Sequence, residues 1–332
     1  MTADQRVAAL EGLGFTARQA RFLAVVALHS GYCLRRQYEA FAGIQYGKNV
    51  RHFLDGLVQR RLADRFTGRA DRGHIYHLHA RALYRALGDE DNRNRRKGSA
   101  AHIARKLMLL DYVLSRPDVE WFATEAEKVH LFVQRFGVPR EALPRRMVRP
   151  SDEATVAHAR FFLHKLPIYL SGEPPVAHFV YLITEAGGEG LAGFLGDHAS
   201  LLHRLPGWTV VVIGAKHSAG FDACQSAFDA HARHASAGID RTADLAWYFA
   251  TRRMVEQGDL SQICVRDIGR LRALRQTLAT PRHERLYARW LATRNLELDS
   301  PVAESSTTSS GRLVVEPLPF AYEQFGSLPG VA

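Results

Sequence analysis

The stretch YGKNVRHFLDGLVQRRL, residues 46–62, decides how the first third of this chain is read. Val50, Phe53, Leu54, Leu57 and Val58 fall at i, i+3, i+4, i+7 and i+8. That spacing gives an α-helix one continuous apolar face. Lys48, Asn49, Arg51, His52 and Asp55 occupy the other face. All of these but Asp55 donate hydrogen bonds, and Lys48 and Arg51 carry fixed positive charge. Such a face is either solvated or pressed against something negative.

The sequence before this stretch reads as two more helices. In TARQARFLAVVALHSG, Thr16 is an N-cap with Gln19 three residues on, and Gly31 is the stop. Phe22, Leu23, Val25, Val26 and Leu28 predict heavy burial of this helix. RRQYEAFAG predicts a shorter helix with Tyr38 and Phe41 on one side and Gly43 just past its end. Downstream, LADRFTGRADRGHIYHLH predicts two short strands around the turn TGRADRG, and ARALYRALG predicts a closing helix. His74, His77 and His79 lie in the second strand. No second group of ligands accompanies them, so no metal is expected.

The chain has 332 residues, enough for two or three domains, and 46% apolar residues, enough for packed cores. No apolar run approaches the ~18 residues of a membrane span. The N-terminal MTADQRVAALEGLGF lacks the apolar core of a signal peptide. Cys33, Cys224 and Cys264 stand far apart, with no CxxC pair or zinc spacing, which predicts reduced thiols and a cytoplasmic protein. The net charge of +10 is unevenly placed. Residues 1–105 hold 19 Lys and Arg against 9 Asp and Glu, whereas residues 106–332 hold 25 of each. A solubilising surface would spread its charge. An excess confined to one module points to a polyanionic partner.

Helix, helix, turn, helix and hairpin is the order of the winged helix-turn-helix, and residues 14–88 resemble such a DNA-binding domain. The resemblance implies that residues 46–62 hold the recognition helix and TGRADRG the wing. Gln45, Tyr46, Lys48, Asn49, Arg51 and His52 would meet base edges of double-stranded DNA, Asn and Gln suiting adenine and Arg guanine. Arg35 and Arg36, opening the second helix, would meet phosphates. Arg65, Arg69 and Arg72 would let the wing follow the DNA backbone or the minor groove. One winged helix covers few base pairs, so a homodimer on a palindromic site is expected.

GDEDNRNRRKGS, residues 88–99, reads as a charged linker whose Arg93, Arg95, Arg96 and Lys97 add non-specific phosphate contacts. From residue 100 the texture changes. AAHIARKLMLLDYVLS and ATEAEKVHLFVQRFG predict helices. RRMVRP, ARFFLHKLPIYL and AHFVYLITEAG predict strands. EGLAGFLGDHASLLHRLP, WTVVVIGA and SAGFDACQSAFDAHARHA predict helix, strand and helix. WTVVVIGA is apolar throughout, as a strand buried on both faces is.

This α-β-β-β-α-β order is that of the restriction-endonuclease-like core, which raises a metal-dependent nuclease as the alternative function. Such sites place an Asp on one strand and Glu-x-Lys on the next. Here Glu185 is followed two residues on by Gly187, and FFLHKLPIYL carries no acid. Asp152 and Glu185 are the catalytic candidates of that alternative. The leading expectation is a binding protein rather than an enzyme, with no cofactor.

DLAWYFATRRMVEQG, VRDIGRLRALRQTLA and RHERLYARWLATRN predict three more helices, the second carrying Arg270, Arg272 and Arg275. SPVAESSTTSSG is a Ser/Thr linker. The tail after it holds Phe320, Tyr322 and Phe325, is too short for its own core, and is either free or docked in a groove. The expected organisation is α+β and multidomain. A winged helix spans 1–88, a basic linker 89–99, an α/β domain 100–235, a helical segment 236–298, and a linker with an extended tail 299–332. This combination, with the stretches GFTARQARFL and HIYHLHARALYRALG, resembles the replication-relaxation family of bacterial plasmids and integrative elements over about residues 14–230. The resemblance implies a nucleoid-associated role as a transcriptional regulator, or as an accessory factor in replication or transfer of a mobile element.

Overall fold

The computed structural model describes residues 1–45, 47–67, 74–148, 158–163, 165–183, 187–216, 218–236, 241–259, 263–278, 281–293, 310–320 and 322. The chain is α+β, with helices packed on antiparallel and mixed sheets.

Helices α1 (Ala3–Glu11) and α2 (Ala17–His29) both open on capping boxes. In the second, the Thr16 N–H donates to Gln19 Oε1 at 3.0 Å, as the sequence predicts. Then come β1 (Tyr32–Leu34), α3 (Arg35–Ala42), α4 (Lys48–Gln59), β2 (Ala63–Thr67), β3 (His74–Leu78) and α5 (Arg81–Ala86). The three strands make one antiparallel sheet in the order β1-β3-β2. The expected hairpin is therefore joined by a third strand. β1 has only three residues, too few for a periodicity to register. Gly43 ends α3 at φ 63°, the left-handed conformation expected of it. Phe22, Leu23, Tyr38, Phe53, Leu54 and Leu57 meet in one core.

Residues 88–99, read as a linker, fold back against this unit. A 3-10 turn (Arg93–Arg95) buries Asn94. The Asn94 carbonyl lies 3.0 Å from His77 Nε2, and its side chain reaches the end of α2. Tyr32 Oη donates to the Arg96 carbonyl at 3.3 Å and accepts from the Gly98 N–H at 2.9 Å. Gly31, at φ 81°, passes so close under the Asn94 backbone that a Cβ would collide with it.

Helix α6 (Ala100–Leu114), capped by Ser99, lies between this unit and a larger sheet. On one side Gln37 Nε2 of α3 donates to the Leu107 carbonyl at 3.1 Å. On the other, Leu107, Met108 and Tyr112 share a core with Val180, Leu182 and Val211 of the sheet.

That sheet has five strands, β4 (Glu120–Phe122), β7 (Ile168–Ser171), β8 (Val176–Leu182), β9 (Gly207–Ala215) and β10 (Ser310–Leu318). Their order is β10-β9-β8-β7-β4. β4, β7 and β8 alternate in direction, and β8, β9 and β10 run parallel. β9 has parallel neighbours on both sides and buries both faces, which accounts for its unbroken apolar run. Helix α8 (Gly187–Leu202) packs on the face opposite α6 through Leu191, Phe194 and Leu195, and α9 (Gly220–Ser236) joins it there through Phe228.

ARFFLHKLPIYL, expected as one strand, is two. β6 (His158–Phe161) pairs with β5 (Arg145–Val148) in a separate hairpin, and β7 belongs to the large sheet. Between them Phe162 and Lys165 have positive φ, 50° and 51°, and Pro167 has no N–H to donate. The helix α7 (Glu125–His130), held by a Thr124–Glu127 capping box, continues as a π-helical turn over Leu131–Arg135.

Helices α10 (Arg241–Glu256), α11 (Val265–Leu278) and α12 (Pro281–Thr293) form where expected and share a small core of Leu245, Tyr248, Phe249 and Tyr287. The tail is docked. As β10 it pairs parallel to β9 from Ser310↔Gly207 to Leu318↔Ala215. Beyond it, Tyr322 Oη donates to Asp111 Oδ2 of α6 at 2.5 Å. Phe325 lies outside the described residues. No described helix is long and apolar enough to cross a membrane.

Candidate nucleic-acid interface

The orientation of α4 follows from its sequence. Val50, Phe53, Leu54 and Leu57 are buried. The Phe53 ring packs against Phe15, Phe22 and Tyr38, with centroids 6.4, 6.5 and 4.5 Å away. This fixes the apolar face against the rest of the unit and leaves Lys48, Asn49, Arg51 and His52 exposed, with Gln45 exposed just ahead of them. The helix opens on Gly47 with no side-chain cap and no acid in its first turn. Its first N–H groups therefore have no partner within the helix, at the positive end of the macrodipole. Asp55 reaches Arg65 of β2 at 3.4 Å and ties the helix to the β2–β3 pair, and Arg65 stays largely exposed. Tyr46, Arg69 and Arg72 lie outside the described residues.

The two arginines opening α3 part company. Arg35 stays on the surface, beside Glu39 at 3.2 Å. Arg36 turns inward, where its two terminal nitrogens donate to Asp111 Oδ1 and Oδ2 at 2.6 and 2.7 Å. The Phe320 ring lies over the same guanidinium, 3.6 Å from the ring centroid. A guanidinium held by two charge-assisted bonds to a carboxylate is committed within the protein. The phosphate contact expected of Arg36 does not match this placement.

Several other cations of the first unit are also engaged. Arg95 donates to the carbonyls of Glu90 at 2.9 Å and His79 at 3.3 Å. Lys97 lies 3.6 Å from Asp64. The Arg85 guanidinium, with Arg81 beside it, holds the Glu90 carboxyl down at about 2. Lys48, Asn49 and His52 are the exposed polar set of the first half of α4, with Arg51 beside them. His77 belongs to the interior, stacked on Tyr32 at 4.3 Å, and burial lowers its pKa to about 4. Among the described residues no group of three or more His, Cys, Asp or Glu is placed to hold a metal. Asp152 and Glu185 lie outside the described residues.

Sequence reasoning passed over Asp111. Its one signal is a lone carboxylate near the end of the apolar helix AAHIARKLMLLDYVLS, where burial demands a partner. A second buried charge-bearing group, Lys128 of α7, is 1% exposed and donates to the Leu166 carbonyl at 2.7 Å. Burial, with Lys106 nearby, lowers the Lys128 pKa to about 7. Both groups tie the chain together away from the exposed face of α4.

No family model, curated protein or solved structure matches the chain.

Proposed function

We propose that residues 1–88 are a winged helix-turn-helix module that binds double-stranded DNA, with α4 as the recognition helix in the major groove. The observation that carries this reading is the division of α4. Lys48, Asn49, Arg51 and His52 are exposed in its N-terminal half, and the opposite face is buried, within the first 105 residues, which bear the chain's whole charge excess. The element order and the three-stranded sheet support it, since in such modules the third helix lies in the groove and its first residues meet base edges. Asn49 and Gln45 suit adenine, and Arg51 suits guanine. Tyr46, Lys48 and His52 complete the contact. Arg35 and Arg65, with Arg69 and Arg72 between the hairpin strands, take phosphates. Two copies bind together on a palindromic site. The role is that of a transcriptional regulator or an accessory factor of a mobile element, in keeping with the resemblance to the replication-relaxation family.

The test is selection of bound duplexes from a random library by the full chain, followed by affinity measurements across salt. The expected result is a preferred site bound about a thousand-fold or more above random duplex. Log affinity should fall linearly with log salt. Equal binding to every duplex, or none, overturns the reading.

A further inference from the structure

We propose that the C-terminal tail is an autoinhibitory clamp: Phe320 and Tyr322 close over the Arg36–Asp111 pair, withhold Arg36 from DNA phosphate, and on release raise DNA affinity. This rests on the DNA-binding reading above.

Arg36 and Arg35 open the same helix, α3, in the module proposed to meet DNA. Arg35 pairs with Glu39 of its own helix, whereas Arg36 pairs with Asp111 of α6 and is covered by Phe320, nearly three hundred residues away in sequence. Phe320 is 40% exposed, so core burial does not account for its position. What its ring covers is the guanidinium. Tyr322 is buried and donates a hydrogen bond from its hydroxyl to the same carboxylate that holds Arg36. Burial and the neighbouring Asp111 charge push the Tyr322 phenol well above its ordinary range, so it remains the donor. Ring, phenol and carboxylate thus hold one cation, whose side chain keeps 32% of its surface exposed.

The clamp is mounted on a removable element. β10 is an edge strand, and edges open locally at lower cost than central strands. Its first two residues, Ser310 and Gly311, end the Ser/Thr-rich run SPVAESSTTSSG. Its anchors are nine residues of pairing with β9, packing of Leu313 on the main core, burial of Leu318, and an ion pair between Glu316 and Arg116. When it leaves, water reaches Asp111, and Arg36 can exchange a carboxylate for a phosphate. The charge-assisted bond is kept and only its partner changes.

The test uses the full chain and anisotropy titrations of a duplex of about thirty base pairs between 50 and 200 mM salt, the range over which phosphate contacts are read. Phe320→Ala opens the lid at an exposed position. Gly311→Val acts independently, because a Cβ there overlaps the Trp208 ring and keeps β10 from its place beside β9. Both variants should bind roughly three- to ten-fold more tightly than wild type, the scale of one charge-assisted contact less the one it replaces. Both should steepen the slope of log affinity against log salt by about 0.9, one added phosphate. Adding Arg36→Ala to Phe320→Ala should cancel both gains. Unchanged affinity and slope in Phe320→Ala, with Lys48→Ala still weakening binding, overturn the clamp and leave the DNA reading standing. A gain that survives Arg36→Ala also overturns it. If Lys48→Ala and Arg51→Ala bind as wild type does, the DNA reading falls and the clamp with it. Should Gly311→Val not fold, Phe320→Ala decides alone.

Discussion

The side-chain amide of Asn94 closes the C-terminal end of α2, donating to the Ala27 carbonyl at 2.9 Å and to that of Leu28 at 3.1 Å. The neighbouring carbonyls are also served. That of Val26 accepts from the Ser30 and Gly31 N–H groups, and that of His29 from Lys106 Nζ at 3.4 Å. All four orphan acceptors of the helix end thus have partners. Asn94→Ala strips one buried and one half-buried carbonyl and should cost ~1–3 kcal/mol in urea unfolding. Asn94→Asp, which keeps the shape and loses the donors, should cost at least as much. A loss under ~0.5 kcal/mol in both would mean that water replaces the amide.

In the first module two kinds of substitution should separate. Asn49→Ala and Arg51→Ala should each lose ~1–3 kcal/mol on the preferred site and relax the choice at one base position. Arg69→Ala and Arg72→Ala should weaken every sequence alike and lower the salt slope by about 1 each. Phe53→Ala should destabilise the fold by ~3–5 kcal/mol through the cavity it leaves. Unaltered sequence preference in Asn49→Ala and Arg51→Ala would mark the face as merely solvated.

Lys128 makes stability depend on pH in a definite direction. Its folded pKa of about 7 lies below the 10.5 of a free lysine. Between those values the unfolded chain holds a proton that the folded chain lacks, so stability falls as pH falls from 10.5 toward 7. Below about 7 the penalty is complete and constant. Lys128→Met removes it. Its gain in stability at pH 7 should exceed that at pH 10 by ~1–4 kcal/mol. Melting curves at the two pH values check this, and an equal effect at both would contradict it.

Incubation of the purified protein with supercoiled plasmid and Mg²⁺ or Mn²⁺ should give no nicking, because Gly187, two residues after Glu185, stands where a lysine is needed. Nicking lost in Glu185→Ala would establish the nuclease alternative.

The helices were legible because each carries its own instructions. Thr16 and Gln19 mark a start, Gly43 marks a stop, and the spacing from Val50 to Leu57 sets a buried face. The exposed residues of α4 follow directly from that spacing. What stayed hidden depends on partners remote in sequence. Arg36 looks like Arg35 until Asp111 and Phe320 arrive from α6 and the tail. Asn94 sits in a charged run that reads as a linker, and only the end of α2 reveals its role. β1 exists because β3 offers it an edge, and β10 because β9 does. Local pattern encodes an element's faces, and long-range pairing decides which surfaces remain free.

The place of β10 beside β9 also sets an order of events at the ribosome. Residues 216–309 are made between the two strands. At about 5–20 residues per second, the edge of β9 waits on the order of 5–20 s for its partner. During that interval a Val- and Ile-rich parallel edge is open to other nascent chains. The five-stranded sheet is therefore completed only after residues 216–309 have been made.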